Sequence, residues 1–133
     1  MKILKTNWIN IIGFFTAVFV YSFISSLIID DGISRNIFQA ILASLIGIVL
    51  YGVMFWSSFL ILLIILDLVL IVPNQKKLKI KLILEWLIIS LLLVIWAFIY
   101  KEREWIYGLF AISIISFLIT QLLRKKLIEK VRQ

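Results

Sequence analysis

The sequence predicts an all-α integral membrane protein, a four-transmembrane-helix bundle with both termini cytoplasmic and no soluble domain. Its 133 residues are 64% hydrophobic and only 16% charged, and the mean hydropathy is +1.16. A soluble domain carries roughly 45–50% apolar and about 25% charged residues. The apolar residues also form uninterrupted blocks, and a run of about 18 or more can cross a bilayer as a helix.

Three of the four predicted spans follow directly from the apolar runs and the polar turns between them. The predicted ranges are 8–29, 82–100 and 105–123, with a basic tail at 124–133. The first run is longer than the roughly 7–15 apolar residues of a signal peptide, so we expect it to remain as an uncleaved span. Apolar residues recur at helical spacing in the tail, which predicts that the fourth helix continues beyond its span.

The second apolar run, 37–72, is too long for one perpendicular crossing and ends before Pro73. As a helix it would measure about 54 Å, against a hydrocarbon core of about 30 Å. Two crossings would reverse the sidedness of everything that follows. The prediction is therefore one span at 51–72, with 37–50 as an outer extension. That extension is either a surface or partly buried segment or the start of one long tilted helix, with Gly47 and Gly52 as bend points.

Basic residues predict the orientation of the chain. Four spans place successive loops on opposite sides of the membrane. Eleven of the fourteen Lys and Arg residues then fall on the side that holds the two termini. Cytoplasmic loops carry such an excess, so the termini are expected in the cytoplasm and the protein in the inner (plasma) membrane. Aromatic rings favour the interfaces, which places Trp8 and Trp86 at the inner one. The expected outer group is Tyr51, Trp56, Trp96, Tyr100, Trp105 and Tyr107.

The residue types present exclude several kinds of chemistry. The chain has neither Cys nor His, which removes thiolate nucleophiles, imidazole bases and Cys/His zinc sites. No enzyme activity, metal or cofactor is predicted. The net charge of +7 lies in short clusters beside apolar runs, which indicates anionic lipid headgroups rather than nucleic acid as the partner. The candidate headgroup contacts are Lys76, Lys77, Lys79, Lys125, Lys126 and Lys130.

Two acidic residues inside the predicted spans are the candidates for function. A charge in hydrocarbon is costly, so Asp67 is expected to face protein or a water-filled cavity. Glu85 either shares that environment or pairs with Lys81 one turn away and reaches the headgroups. The candidates for a polar layer at this depth, able to bind a proton or cation, are Asp67, Glu85, Asn10, Gln121 and Arg124, with Asn7 and Thr120 beside them.

Small and hydroxyl residues predict where helices approach closely. The candidates are the pairs Gly13–Ala17 and Ala43–Gly47 and the face formed by Ser113, Ser116 and Thr120. These residues are expected to pack within one chain or, alternatively, against a second chain.

The favoured function is therefore a non-enzymatic membrane protein that acts through helix–helix association as a subunit, accessory or protective protein. In size and sidedness it resembles the four-helix immunity proteins that protect cells against pore-forming bacteriocins. Its partner would be a second copy or another membrane protein. The alternative is an oligomeric ion channel or a proton-coupled small transporter that uses Asp67 and Glu85, which flux into liposomes would reveal.

Overall fold

The computed structural model describes residues 2–29, 32–99 and 104–132. Every regular element in these ranges is helical: α1 (Lys2–Lys5), α2 (Trp8–Ile28), α3 (Ile37–Leu66) with a π-helical turn at Asp67–Ile71, α4 (Leu78–Ile99) and α5 (Glu104–Arg132). Within the described residues, four helical segments are long and apolar enough to cross a membrane. The predicted helical class and the number of such segments are therefore confirmed.

Some predicted features lie outside the described residues. They are Tyr100, which ends the third predicted span, and the side chains of Tyr51 and Trp105.

The start of α3 is fixed by a reciprocal cap. The Asn36 side chain accepts a hydrogen bond from the Gln39 backbone N–H at 2.8 Å, and the Gln39 side chain accepts one from the Asn36 N–H at 3.1 Å. This capping box satisfies backbone donors that have no partner inside the helix. The cap therefore directs the chain into a helix at Ile37, far ahead of the predicted span.

Of the alternatives left open for 37–72, the structure shows one long helix. It passes through Gly47 and Gly52 without a break. One face of its first half is buried, through Ala40, Ser44 and Ile48. The alternative in which 37–50 is the start of one long helix is therefore the one that the structure shows. Hydropathy could not decide this because both halves are equally apolar.

The third and fourth helices are longer than their predicted spans. Asn74 forms a tight turn by accepting a hydrogen bond from the Lys76 N–H at 2.7 Å, and Lys77 adopts a positive φ of 56°. This turn lets α4 begin at Leu78, so Lys79 lies on the helix rather than in a loop. Helix α5 continues to Arg132, which confirms the predicted helical tail.

Aromatic rings from three helices form the centre of the core. Phe14 of α2 stacks on Phe59 of α3 with ring centroids 4.7 Å apart, and Phe59 meets Phe117 of α5 edge-on at 5.4 Å. Such pairs contribute about 0.5–1.5 kcal/mol each beyond the area that they bury. The Trp86 indole N–H donates to the Ile114 carbonyl at 3.0 Å and the ring packs on this core. The Trp86 indole therefore finds its hydrogen-bond acceptor inside the bundle.

The helices pack unequally. Helix α5 packs closely against both α2 and α4, and α3 packs mainly against α2. Helix α4 makes about as much contact with the five-residue π-helical turn as with all thirty residues of α3. Helices α3 and α4 are thus joined at the turn and meet little along their length. Much of the outer surface is apolar, as at Met54 with 78% of its area exposed, which is what lipid-facing helices require.

Candidate functional site

Polar side chains gather at one end of the bundle, where α2 begins, α3 ends, α4 begins and α5 passes by. All of them are buried. The members are Thr6, Asn7, Asn10, Asp67, Glu85, Gln121 and Arg124, and we call them the Arg124 cluster. Every long helix contributes to it, so its contacts fix how the four helices meet.

Arg124 is the centre of the cluster. Its Nη2 donates to Asp67 Oδ2 at 2.5 Å, and its Nη1 donates to Glu85 Oε2 at 3.4 Å. Its Nε donates to Thr6 Oγ1 at 2.9 Å. Hydrogen bonds between charged groups are roughly twice as strong as neutral ones, and a planar guanidinium can serve three partners at once. One side chain of α5 therefore joins the chain segment before α2 to the ends of α3 and α4.

Asp67 follows directly on α3 and is the first residue of the π-helical turn. It lies one helical turn after the buried Leu63, so the α-helical repeat of α3 places it on the buried face. The Val72 N–H donates to the Asp67 carbonyl at 2.9 Å, a bond five residues long that widens the turn after Asp67. Asp67 and Ile71 both face the interior, where both are fully buried.

Side-chain amides connect the two carboxylates by a second route. The Asn7 amide group donates to Asp67 Oδ2, and Gln121 Nε2 donates to Glu85 Oε2 at 2.9 Å. Both amide oxygens then accept from Asn10 Nδ2, at 3.1 Å and 3.3 Å. The carboxylates can only accept, so they set the orientation of each amide along this path.

Three oxygen atoms of the cluster have no hydrogen-bond partner among the described residues. They are Asp67 Oδ1, Glu85 Oε1 and Asn10 Oδ1, all of them enclosed by protein. With both carboxyl groups ionised, the cluster carries two negative charges and the single positive charge of Arg124. It can therefore accept a further hydrogen-bond donor or positive charge.

The expected pairing of Glu85 with Lys81 is wrong. Glu85 is fully buried and contacts Arg124 and Gln121, whereas Lys81 Nζ donates to the carbonyl of Asn74. The reason lies in the surroundings of each side chain. Glu85 lies on the buried face of α4 with Leu82 and Ile89, whereas Lys81 is only half-buried and its side chain reaches back to the turn before α4.

The structure brings the five polar-layer candidates together, but not all of them around Asp67. Arg124 contacts Asp67 directly, while Asn10 and Gln121 reach it only through other side chains. Thr6 is a member of the cluster that was not predicted. The sequence signal that could have indicated it is its position one helical turn before Asn10 in a short polar stretch.

The contact between α2 and α5 uses several of the predicted small residues. A Cβ atom at Gly13 would overlap Thr120 Cγ2, and the Ser116 hydroxyl donates to the Gly13 carbonyl at 3.0 Å. Ala17 is half-buried on the same helix. Ser113 is buried, and its hydroxyl donates to the Leu109 carbonyl of its own helix at 2.7 Å. Close approach is therefore centred on Gly13.

The Ala43–Gly47 pair does not pack within the chain. Ala43 is exposed, and a Cβ atom at Gly47 would meet nothing within 4 Å. The interior stripe of α3 instead runs through Ala40, Ser44 and Ile48, one position further round the helix. The expectation of packing within one chain is wrong for this pair, because spacing alone does not say which face turns inward.

The lysines proposed to meet headgroups lie at the same end as the Arg124 cluster. Lys76, Lys77, Lys79 and Lys125 line one shallow cleft of about 350 Å³. Lys126 and Lys130 are exposed and do not line it.

An apolar groove of about 460 Å³ runs between α3 and α4. Its walls begin at Leu62 and Ile89, about one helical turn beyond Asp67 and Glu85, and continue away from the cluster to Phe55 and Ile99. The groove lies where α3 makes few contacts with α4 for its length.

Comparison with known proteins finds no match for this chain among protein-family models, curated protein sequences or solved structures.

Proposed function

We propose that this chain is a non-enzymatic multi-pass membrane protein that binds a transmembrane helix of another protein in the groove between α3 and α4. It would act in this way as a subunit, an accessory protein or a protective protein of the immunity type. The observation that carries the proposal is the groove itself, an apolar cleft inside the segments long enough to span a membrane.

The lining of the groove favours a helix over a lipid chain as the occupant. Phe55 and Trp96 offer large rigid surfaces, and Ser58 places a hydroxyl among them. No described residue gives that hydroxyl a hydrogen-bond partner. Hydroxyls at this depth form hydrogen bonds across helix–helix contacts, and an acyl chain could offer none.

The Arg124 cluster supports this function by holding the groove open. It joins α3 and α4 at one end through Asp67 and Glu85. Both helices then pack mainly on their other neighbours. The space between them is therefore set before a partner arrives, which lowers the conformational cost of binding.

A channel or coupled transporter is less well supported. Water or a substrate would have to reach Asp67 and Glu85, and protein encloses both side chains. Neither of the two cavities described above includes these residues in its lining.

Site-specific photocrosslinking tests the groove. A photoreactive amino acid at Leu92, which lines the groove, should form a discrete protein adduct in native membranes. The matched control is Leu91, an exposed neighbour on the same helix that lies outside the groove. The crosslinked peptide of the partner should map to an apolar helix, and Ser58→Leu should reduce the yield at Leu92 several-fold by obstructing the groove.

The adduct also identifies the class of partner. A crosslinked protein product of twice 15.5 kDa would contain a second copy of this chain. A protein adduct of any other mass would contain a different membrane protein. Equal yields at Leu91 and Leu92, or only lipid adducts at Leu92, would rule the groove out as a helix site.

We further propose that both termini face the cytoplasm across the inner membrane, on the strength of the basic residues near the Arg124 end. A reporter active only in the cytoplasm should give signal when fused after Asn74 or Gln133. It should be silent after Gly32 or Arg103. Signal after Arg103 and none after Asn74 would mean that the second apolar run crosses twice.

A further inference from the structure

We propose that the Arg124 cluster is a binding site for one additional positive charge, supplied as a proton or as a small alkali cation. The site lies at the free carboxylate oxygens, with Glu85 Oε1 as the principal acceptor. This inference is independent of the groove and would stand if the groove bound nothing.

The negative and positive charges of the cluster do not balance. Arg124 is the single cation that the structure shows in contact with Asp67 and Glu85 among the described residues. All three side chains are fully buried. Two carboxylates and one guanidinium leave an excess negative charge in a region closed to water. Such a charge is strongly unfavourable unless a positive charge joins it.

The hydrogen bonds to the carboxylates reach only one oxygen of each. Every described donor that contacts them points at Asp67 Oδ2 or Glu85 Oε2. The other oxygen of each carboxylate has no partner. The amide oxygen of Asn10 is likewise buried and unpartnered, because both neighbouring amides already accept from its nitrogen. The donors that reach the carboxylates are directed at one oxygen of each, and three buried acceptor oxygens remain, which is the pattern of a site for a positive charge or a proton.

The two carboxylates do not share Arg124 equally. Arg124 lies 2.5 Å from Asp67 Oδ2 but 3.4 Å from Glu85 Oε2. Asp67 also accepts from Asn7. Asp67 is therefore the main ion-pair partner of Arg124, and the excess charge resides chiefly on Glu85.

Infrared spectroscopy of the purified full-length protein in sodium-free buffer tests for a bound proton. A protonated carboxylic acid shows a carbonyl stretch that a carboxylate lacks. We expect this band in the wild-type protein and its loss in Glu85→Gln. Glu129→Gln is the control, because it removes an exposed carboxylate of α5 outside the cluster, and it should keep the band.

The decisive variant is Asp67→Asn. It leaves Glu85 in place but removes one negative charge, so Arg124 and Glu85 then balance and no further charge is needed. The band should disappear although Glu85 is still present. A band that persists in Asp67→Asn would show that charge balance does not govern the site. The helical circular dichroism of each variant establishes that the fold is retained.

A bound alkali cation gives a different result in the same proteins. The band would be missing in the wild type, and sodium, unlike choline, would raise the thermal unfolding midpoint by several degrees. Glu85→Gln and Asp67→Asn would each abolish that shift, and Glu129→Gln would preserve it. A wild-type protein with neither the band nor the sodium-dependent shift would overturn the proposal.

Discussion

Replacing Arg124 with Gln is expected to lower the free energy of unfolding by about 3–5 kcal/mol, because removing one partner strands buried charges. Asp67 and Glu85 would both lose their cation at once, and Thr6 would lose its donor. Denaturant titration of the purified protein in mild detergent, followed by circular dichroism, measures the change.

The control for this substitution is Lys126→Gln, which removes an exposed positive charge of the same helix. It should change stability by less than about 0.5 kcal/mol. Adding Asp67→Asn and Glu85→Gln to Arg124→Gln should recover most of the loss, since no uncompensated charge remains. An Arg124→Gln protein as stable as Lys126→Gln would show that the cluster does not hold the helices together.

Substituting Gly13 with Ala should destabilise the fold by about 1–3 kcal/mol, the usual cost of overpacking a tight contact. The new methyl group would overlap Thr120 Cγ2. Thr120 cannot simply rotate away, because its hydroxyl donates to the Phe117 carbonyl at 3.0 Å. Helices α2 and α5 would therefore have to separate, and the same denaturant titration would report the loss.

Gly47→Ala is the matched control, because nothing lies within 4 Å of the Cβ position there. Alanine is the better helix former by about 1 kcal/mol, so this variant should be neutral or slightly more stable. Thr120→Ser removes the obstructing methyl group and should rescue Gly13→Ala. If the rescue fails, the contact between Gly13 and Thr120 is not the cause of the instability.

The sequence was sufficient for the helical class and for the common level of the polar residues along the bundle. Apolar runs mark the spans, and once their ends are known, residues such as Asn10, Asp67 and Gln121 fall at a common level. Lipid makes this inference strong, because each buried charge needs a protein or water partner.

Contacts around the helix axes could not be predicted in the same way. The π-helical turn after α3 is not revealed by hydropathy. Whether Glu85 contacts Arg124 depends on how α4 and α5 pack, which a single sequence leaves open. The spacing of Ala43 and Gly47 likewise does not indicate which face of α3 turns inward.

The position of Arg124 in the chain has a consequence for biosynthesis. During translation the segments that carry Asp67 and Glu85 emerge before Arg124, the cation that pairs with them. A nascent chain that ends before α5 therefore holds two carboxylates without their cation. The contacts that join α2, α3 and α4 through the Arg124 cluster therefore form only once α5 has been synthesised.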